Sequence, residues 1–469
     1  MYRAALRVWD EAACQRVHEA TLTVLRETGV DVRYPTGLEL YRHLGARVDG
    51  MRVFLEPEHV ESALASAPRS WPLKSRGRTE VLDLADGPSY YGTGSDCLYT
   101  RDLRSGQRRR VRLADIESMA ALSERLPNID FVMSMGLPED APHAIDDLAP
   151  VAAMMAGTRK PLIVAPRDGQ VLDAIVEMAA ACGEPQSFAI YAMPSPPLMH
   201  DGDALSKLIR CAELEIPLVY APAPSQGSTG PRSASASTVV GNAEVLSGLV
   251  LHQCVRPGAP FVYGVGAGAI NLSTALDPYA VPEAFLAQQL GNDLAHHYGL
   301  PSFNYAACSD SKCLDEQWAA EAAFTTLLGG LSRGTLLHDV GYLESGLQSS
   351  HESIVFGDEL IAWVRAFMRE AGTDDESLAL DEIAQAGPGG NHLGTKYTRR
   401  HAHEYWRPQT MDHTVFDRWQ AAGSTTLGER LHEHTLELVA QPREFELNDA
   451  AWEAVESILA NVAASRDER

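Results

Sequence analysis

From residue 113 onward, short apolar or β-branched runs alternate with long amphipathic stretches, and this alternation constrains the fold more than any other feature. Seven of the runs predict strands, at 129–135, 162–165, 188–193, 217–221, 260–265, 302–308 and 335–340. Helical patterns separate or follow them, near 146–156, 171–181, 205–214, 238–254, 283–298, 315–331 and 352–369. Such repeated units predict an α/β fold in which helices cover both faces of a parallel sheet.

The number of units indicates how this sheet is arranged. Seven clear units and a less regular eighth after Leu378 favour a closed (β/α)8 barrel of the TIM type. An open dinucleotide-binding sheet would carry a glycine-rich turn after its first strand, and the sequence has none. We therefore expect an N-terminal α/β lead-in with a β-hairpin over 1–112, a barrel over 113–412 and a C-terminal helical extension over 413–469.

The lead-in shows its own helix and strand signals. A helical pattern runs from Asp10 to a C-capping Gly29. Strands are predicted near 30–32 and 53–55, helices near 38–44 and 58–65, and a β-hairpin around the turn 104–107. The glycines of 90–94 are too sparse for a phosphate-binding fingerprint, so we interpret this stretch as a loop.

The net charge of the chain disfavours some kinds of binding partner. With 39 Lys and Arg against 63 Asp and Glu, the net charge is −24, which disfavours nucleic acids and anionic membranes. Arg3, Arg7, Asp10 and Glu11 interrupt the start where a signal peptide would lie, and no apolar run of about 18 residues follows. The seven cysteines are scattered without CxxC spacing, which indicates free thiols. We expect a cytoplasmic protein that contacts neither nucleic acid nor membrane.

The residues after each predicted strand would form one rim, where α/β proteins bind their ligands. This rim is richer in aromatic, thioether and proline side chains than in carboxylates. It has no carboxylate pair typical of glycosidases, no zinc-binding motif and no Gly-x-Ser-x-Gly elbow. Such a rim suits an organic cation held by aromatic rings, although tyrosine and methionine at strand ends also serve as core caps.

Several polar rim residues have two interpretations each. The turn 308–312 lies where ligands bind, but Ser309, Asp310 and Ser311 are also good N-cap residues. His338 is either a hydrogen-bonded plug or a pocket group, and His351 precedes a helix N-terminus that would attract an anion. His392, His401 and His403 lack a further ligand at a suitable spacing, so we predict no protein-bound metal.

Seven stretches, in order along the chain, resemble the sequence of one known family. They are DLRSGQRR at 102–109, PNIDFVMSM at 127–135, VYAPAP at 219–224, VRPGAPFVY at 255–263, CSDSKCLDEQ at 308–317, HDVGYLESGL at 338–347 and GPGGNHLG at 387–394. Together they resemble the trimethylamine methyltransferase family. The resemblance implies a (β/α)8 barrel that demethylates a methylated amine and passes the methyl group to cobalt(I) of a corrinoid on a separate small carrier protein.

The chain departs from the founding trimethylamine enzymes, because these contain pyrrolysine and it has only the twenty standard residues. It is similar instead to the branch that acts on glycine betaine and other quaternary amines, whose nitrogen is already a leaving group. A further departure lies at 221–237, where Ser225, Gln226 and Arg232 replace a more apolar family pattern. That stretch and His351 are expected to record the choice of substrate.

Placement and resemblance together give the candidate site residues. An aromatic cage for the ammonium group is expected from Tyr99, Tyr191, Tyr305 and Tyr342, with His338 or His351 holding a carboxylate or hydroxyl tail. The expected contacts to the corrinoid or its carrier are Ser225, Gln226, Ser309, Asp310, Ser311 and Lys312. Association into a homo-oligomer stays open. The alternatives are a noncatalytic barrel that binds a quaternary amine or a corrinoid, and a barrel hydrolase or lyase that uses Asp310 with Lys312.

Overall fold

The N-terminal segment folds as alternating short helices and strands. In the computed structural model, which describes residues 4–467, its elements are α1 (Glu11–Thr23), β1 (Val30–Val32), α2 (Pro35–His43), β2 (Arg47–Asp49), β3 (Arg52–Phe54), α3 (Pro57–Ser66), β4 (Pro72–Lys74) and β5 (Val81–Asp83). The Asp10 carboxylate caps α1 by accepting a hydrogen bond from the Ala13 N–H. Gly29, at φ +74°, follows the π-helical turn Val24–Thr28. The predicted helix from Asp10 to Gly29 is confirmed.

A longer series of strands and helices follows. Its elements are β6 (Tyr90–Thr93), β7 (Tyr99–Arg101), β8 (Arg108–Arg110), α4 (Leu113–Arg125), α5 (Ala149–Gly157), β9 (Leu162–Val164), α6 (Leu172–Ala181), β10 (Phe188–Ala192), β11 (Met199–His200), α7 (Gly202–Leu214), β12 (Leu218–Tyr220), β13 (Ser225–Gln226), α8 (Ala234–Val255), β14 (Phe261–Gly264), β15 (Gly268–Ala269), α9 (Pro282–Tyr298), β16 (Ser302–Tyr305), α10 (Glu316–Ser332), β17 (Leu336–Val340), β18 (Tyr342–Leu343), β19 (Gln348–Ser350) and α11 (His351–Phe367). Strands β7 and β8 pair antiparallel, which confirms the predicted hairpin.

The C-terminal part that the structure describes contains helices only. They are α12 (Asp375–Leu378), α13 (Leu380–Ala386), α14 (Lys396–His401), α15 (Phe416–Ala421), α16 (Leu427–Ala440) and α17 (Asp449–Asp467). The predicted eighth strand–helix unit after Leu378 is therefore wrong.

A curled sheet of seven parallel strands forms the centre of the molecule, in the order β6-β17-β16-β14-β12-β10-β9. Single parallel bridges connect Gly92 of β6 with Phe131, and Val132 with Leu162 of β9. The short segment 131–132 thus lies between the two edge strands. The predicted α/β fold with a parallel sheet is confirmed.

Two further strand predictions need correction. The predicted strand at 129–135 is reduced to the two bridges at Phe131 and Val132. The stretch 90–94, interpreted as a loop, contains strand β6. A Cβ atom on Gly92 would lie 2.2 Å from the Phe131 ring, so only glycine lets this ring close on the strand. The glycine therefore marks a close approach within the sheet.

Side chains along the strands alternate between two apolar layers. Outward residues such as Leu162, Ile190 and Leu218 belong to the large cluster beneath the surrounding helices. The inward cluster includes Ile163, Ala189, Val219, Val262 and Leu336, together with Leu73, Leu82 and Leu84 from the region of β4 and β5. Strands β4 and β5 form an antiparallel pair, separate from the β7–β8 hairpin. This pair packs against the interior of the curled sheet at the amino ends of the strands, so the open mouth lies at their carboxyl ends.

One buried cation, Lys160, supports the turn that joins the end of α4 to the segment 131–132 at the edge of the sheet. The Lys160 ammonium donates hydrogen bonds to the carbonyl oxygens of Ser123 (2.6 Å), Leu126 (2.6 Å) and Ile129 (2.5 Å). These carbonyls belong to the end of α4 and to the turn that leads into 131–132. Burial lowers the pKa of Lys160 to about 8.

Among the described residues, one helix has the length and apolar composition of a membrane span. This helix is α8, and 72% of its most apolar stretch is buried inside the protein. Core helices of soluble proteins meet the same criteria, so α8 is weak evidence for a membrane.

Candidate functional site

A cavity of about 380 Å³ lies at the carboxyl ends of β10, β12, β14, β16 and β17. Its polar and aromatic lining comprises Tyr191, Tyr279, Phe303, Tyr305, His338, Asp277, Asp339, Asn304, Gln288 and Ser345. We call this the aromatic cavity. Its lining includes no lysine or arginine. Ring faces and carboxylates without a fixed cation favour a positively charged ligand.

The rings come from neighbouring parts of the sheet and from one loop. Phe303 and His338 stack with centroids 4.0 Å apart and planes inclined by 10°, while Tyr191 lies 5.4 Å from Phe303. Across the cavity, Tyr279 stacks on Tyr305 with centroids 5.8 Å apart. The register that pairs Tyr305 with His338 places β16 and β17 residues side by side at the mouth.

His338 is oriented by its neighbour in the chain. Its Nδ1 lies 2.5 Å from Oδ1 of Asp339, which is buried and adopts a left-handed backbone conformation at φ +70°. Aspartate adopts this conformation more readily than most residues. The contact fixes the imidazole and leaves Nε2 without a protein hydrogen-bond partner within residues 4–467. His338 is therefore available to a ligand from the cavity side.

Asp310 holds the loop that forms one wall of the aromatic cavity. Its two carboxylate oxygens accept hydrogen bonds from the N–H groups of Tyr279 and Ala280, each at 2.8 Å, and the Ser345 hydroxyl donates to Oδ1 at 2.7 Å. The Tyr305 hydroxyl donates to the Tyr279 carbonyl at 2.9 Å. Asp310 thereby positions the Tyr279 ring against Tyr305.

The other residues of the 309–312 turn are bound mainly within the protein. The buried Ser309 hydroxyl donates to Glu321 at 2.7 Å, and the buried Ser311 hydroxyl donates to Asp315 at 2.9 Å. Only Lys312 is exposed, and its ammonium donates to the Asp310 carbonyl at 2.8 Å. A corrinoid contact at these residues stays a prediction.

Ser225 and Gln226 form β13, which pairs with β15 beyond the carboxyl ends of β12 and β14. Both residues are buried. The Ser225 N–H donates to the Thr229 hydroxyl at 2.8 Å, and the Gln226 side-chain amide donates to the Glu283 carbonyl at 3.0 Å. Neither lines the aromatic cavity, so their predicted contact to the cofactor is also untested.

Three residues predicted to contact the substrate, Tyr99, Tyr342 and His351, lie outside the aromatic cavity. We call the region that contains them the hairpin side. The Tyr99 ring is covered by the Arg108 guanidinium, 3.3 Å from the ring centroid. Tyr342 is buried, and its hydroxyl donates to the Ser95 carbonyl. The three residues are held close together because β7 and β18 both pair with β19, which leads directly into His351.

His351 is buried at the N-terminus of α11. Its Nε2 lies 3.0 Å from the Ser118 hydroxyl, and its Nδ1 is buried without a hydrogen-bond partner in the described part of the chain. Burial lowers the pKa of this imidazole, which favours its neutral form. His351 is therefore not among the residues that line the aromatic cavity.

A second cavity, of about 340 Å³, lies at the mouth beside β9. Its lining includes Asp96, Asp146 and Arg167. Desolvation by the surrounding protein raises the pKa of the Asp96 carboxyl, and the hydrogen bond from Ser95 partly offsets this effect. Part of the Asp96 residue surface is exposed, so it adds an acidic group to this second cavity.

The sequence analysis missed Phe303, Tyr279 and Asp339 as site residues. Phe303 had a usable signal, because it lies two positions before Tyr305 on β16 and therefore faces the same side of the sheet. Asp339 follows His338 at the same strand end. Tyr279 lies in an irregular loop, where no periodicity indicates its position.

The sequence model of the trimethylamine methyltransferase (MTTB) family matches residues 2–466. The chain belongs to this family. A glycine betaine methyltransferase from Desulfitobacterium hafniense (strain Y51) is 30% identical over 424 residues, covering 88% of each chain. The trimethylamine methyltransferase MttB of Methanosarcina barkeri is 29% identical over 443 residues, covering 91% of this chain and 89% of its own.

A comparison with solved structures supports the fold. The monomethylamine methyltransferase MtmB of Methanosarcina barkeri superposes with a TM-score of 0.53 at 11% identity, covering 98% of this chain and 88% of that chain. At this identity the likeness concerns the fold alone. The predicted family is confirmed by the full-length match of the family model.

Proposed function

We propose that this family member removes a methyl group from a quaternary amine, such as glycine betaine, and transfers it to the corrinoid of a separate small carrier protein. The observation that carries the proposal is the aromatic cavity, in which tyrosine, phenylalanine and imidazole rings lie beside two carboxylates without any lysine or arginine. Cation–π attraction to desolvated rings is how proteins bind quaternary ammonium groups.

We further propose that the curled sheet is a closed (β/α)8 barrel, with 131–132 as its eighth strand position. Bridges from this segment to β6 and β9 support closure. We retain the division into a lead-in (1–112), a barrel (113–412) and a C-terminal extension (413–469), with β6 contributed to the sheet by the lead-in. The free cysteines support a reducing, cytoplasmic setting.

Within the cavity, the chain's task is to bind and orient the ammonium group. The rings of Tyr191, Phe303 and Tyr305 surround it, and Asp339 and Asp277 offset its charge. Positive charge leaves the nitrogen during transfer, so contacts that favour the cation equally throughout would lower KM without raising kcat. Orientation of one methyl group toward the open mouth is therefore the more valuable contribution.

A carboxylate tail, as in glycine betaine, would have few cationic partners in this cavity. The side-chain amides of Asn304 and Gln288 are donors that the lining offers, whereas Nε2 of a neutral His338 accepts, because Nδ1 carries the ring hydrogen toward Asp339. An amine with a hydroxyl or alkyl tail needs fewer hydrogen-bond donors from the cavity than one with a carboxylate tail. A panel of amines with and without a carboxylate tests this selectivity directly.

The mouth carries apolar side chains suited to a protein partner. Leu137, Met193, Leu272 and Leu276 lie around it with 44%, 45%, 71% and 64% of their surfaces exposed. Exposed apolar groups clustered around a cavity mark an interaction surface. We propose that the carrier docks on this rim and brings its corrinoid to the cavity, where cobalt(I) supplies the nucleophile for the methyl group.

The test is a methylation assay with reduced free cobalamin and with a corrinoid-loaded carrier, using glycine betaine, proline betaine, carnitine, choline and trimethylamine. We expect loss of the cobalt(I) absorption with at least one quaternary amine. A control without corrinoid checks for hydrolase or lyase turnover through Asp310 and Lys312. Binding of amines without methyl transfer to either corrinoid source would instead support the noncatalytic binding barrel.

A further inference from the structure

The charges that line the aromatic cavity are unbalanced. The lining carries the carboxylates of Asp277 and Asp339 and no lysine or arginine. Asp277 is exposed, and within residues 4–467 its carboxylate has no ion-pair or hydrogen-bond partner. A His338 ring with a proton on both nitrogens would supply one positive charge against these two carboxylates. In either state of the imidazole, the cavity therefore repels a substrate whose tail is an anion.

Three basic side chains beside the carboxyl ends of the strands are bound to backbone carbonyls. Arg232 lies in the stretch expected to record the choice of substrate, and its guanidinium donates to two carbonyl oxygens, at 3.2 and 3.1 Å. The Lys207 ammonium donates to one carbonyl at 3.0 Å, and the Lys312 ammonium to one at 2.8 Å. None of the three lines the aromatic cavity. A substrate carboxylate would therefore lose its hydration without gaining a salt bridge.

The imidazole of His338 offers the cavity a hydrogen-bond acceptor. Its Nδ1 lies 2.5 Å from Oδ1 of Asp339, so the hydrogen of the neutral ring is on Nδ1 and Nε2 keeps its lone pair. Stacking on Phe303, with the ring centroids 4.0 Å apart, fixes the direction of this acceptor. A hydroxyl group can donate its hydrogen to Nε2, whereas a carboxylate has only acceptor atoms. The geometry therefore favours a tail that donates a hydrogen bond.

We propose that the substrate is a quaternary ammonium alcohol, whose hydroxyl group donates a hydrogen bond to Nε2 of His338 while the rings of the aromatic cavity hold its ammonium group. The inference rests on the proposed function, because it takes the aromatic cavity as the amine site. It narrows the substrate class and places glycine betaine below choline. His338 thus determines specificity, and Asp339 is the positioning residue that fixes the tautomer of its ring.

Isothermal titration calorimetry of the wild-type protein with ligands of similar size tests the inference without any corrinoid. Choline has the hydroxyl group, n-propyltrimethylammonium has a methyl group in its place, 2-methoxyethyltrimethylammonium keeps the oxygen without its hydrogen, and glycine betaine has the carboxylate. We expect choline to bind about 10-fold more tightly than each of the other three, because only its tail pairs with Nε2. Equal binding of choline and the methyl ether, or a Kd for glycine betaine at or below that of choline, would overturn the proposal.

Two variants assign the selectivity to its residues. His338→Phe keeps a ring against Phe303 and removes the acceptor, so choline should lose its advantage over the propyl compound. Asp277→Asn removes one carboxylate and should tighten the binding of glycine betaine about threefold. Asp49→Asn is the matched control, because Asp49 is an exposed carboxylate on β2, outside the cavity. A choline preference that survives in His338→Phe, or an Asp277→Asn effect no larger than that of the control, would contradict the assignment. Circular dichroism checks the fold, and the wild-type ligand series decides the substrate class if His338→Phe does not fold.

The methylation assay separates this inference from the proposed function. If choline binds most tightly but no methyl group reaches either corrinoid source, the ligand class is supported and the proposed function fails. If methyl transfer from glycine betaine is faster than from choline and glycine betaine also binds more tightly, the proposed function is supported and the inference is overturned. The expected result is tightest binding of choline together with methyl transfer from it.

Discussion

The aromatic cavity and the hairpin side contain the same kinds of residue but differ in what their rings contact. In the cavity, Tyr191 and His338 line an open volume, and one face of the His338 ring is stacked on Phe303. On the hairpin side, the Tyr99 ring is occupied by Arg108 and the imidazole of His351 is buried against Ser118. An aromatic side chain binds a ligand only where its face is left free, so we propose that the aromatic cavity is the binding surface and that the hairpin side is a structural support.

The strongest test of this contrast removes the carboxylate that holds the cavity wall. Asp310→Ala leaves the Tyr279 and Ala280 N–H groups without their acceptor, which costs about 1–3 kcal/mol of unfolding free energy. Displacement of the Tyr279 ring is expected to lower kcat/KM about 100-fold. Asp310→Asn keeps one acceptor oxygen and should fall in between. Unchanged kinetics in the alanine variant would mean that Tyr279 is not part of the site.

A smaller effect is expected from removing one ring of the cavity. Tyr191→Leu should raise the Kd for a quaternary amine about 30-fold, because a desolvated cation–π contact contributes about 2 kcal/mol. Tyr191→Phe keeps the ring and serves as the control, with a Kd within about twofold of wild type. Isothermal titration calorimetry measures both. Equal weakening in the two variants would assign the effect to the hydroxyl instead of the ring face.

On the hairpin side, the expected effect concerns stability and its dependence on pH. Because burial lowers the folded-state pKa of His351, the folded protein binds fewer protons than the unfolded chain below the usual imidazole pKa. The free energy of unfolding therefore has its full value above that pKa and decreases as the pH falls below it. His351→Gln should therefore flatten the decline in unfolding free energy between about pH 7.5 and about pH 5.5, measured by urea titration. An unaltered pH slope would contradict a neutral buried imidazole.

The smallest effect is expected at Tyr99. Tyr99→Leu removes the surface for Arg108 and should cost about 0.5–1 kcal/mol in unfolding free energy. The Kd for the amine should change by less than about twofold, because the ring lies outside the aromatic cavity. Calorimetry on the same amine as for Tyr191 makes the comparison direct. A loss of affinity as large as that of Tyr191→Leu would erase the distinction between the two regions.

Much of the fold follows from local signals. The alternation after residue 113 predicted β9, β10, β12, β14, β16 and β17, because a strand buried on both faces is apolar throughout. Strand β6 was missed, since the Gly92 that permits contact with Phe131 is also a typical loop residue. Local sequence does not reveal a partner that lies almost forty positions away in the chain.

The candidate site was predictable only for residues near the carboxyl end of a predicted strand. Tyr191, Tyr305 and His338 were found in this way, and the structure brings them to one cavity. Asp310 was selected from its position, but its hydrogen bonds to Tyr279 and Ala280 depend on how two distant loops meet. Whether Tyr99 faces a ligand or an arginine depends on the pairing of β7 with β8, which the sequence indicates without showing the direction of the ring.

The Lys160 ammonium pairs the carbonyl oxygens of Ser123, Leu126 and Ile129, as a bound monovalent cation would do. A captured ion is lost on dialysis, whereas this cation is tethered by a covalent side chain. The carbonyls at the edge of the curled sheet are consequently paired without an ion taken from solution. Acetylation of this single amine would remove both the charge and two of its three donor hydrogens, and would leave the turn with unpaired carbonyls.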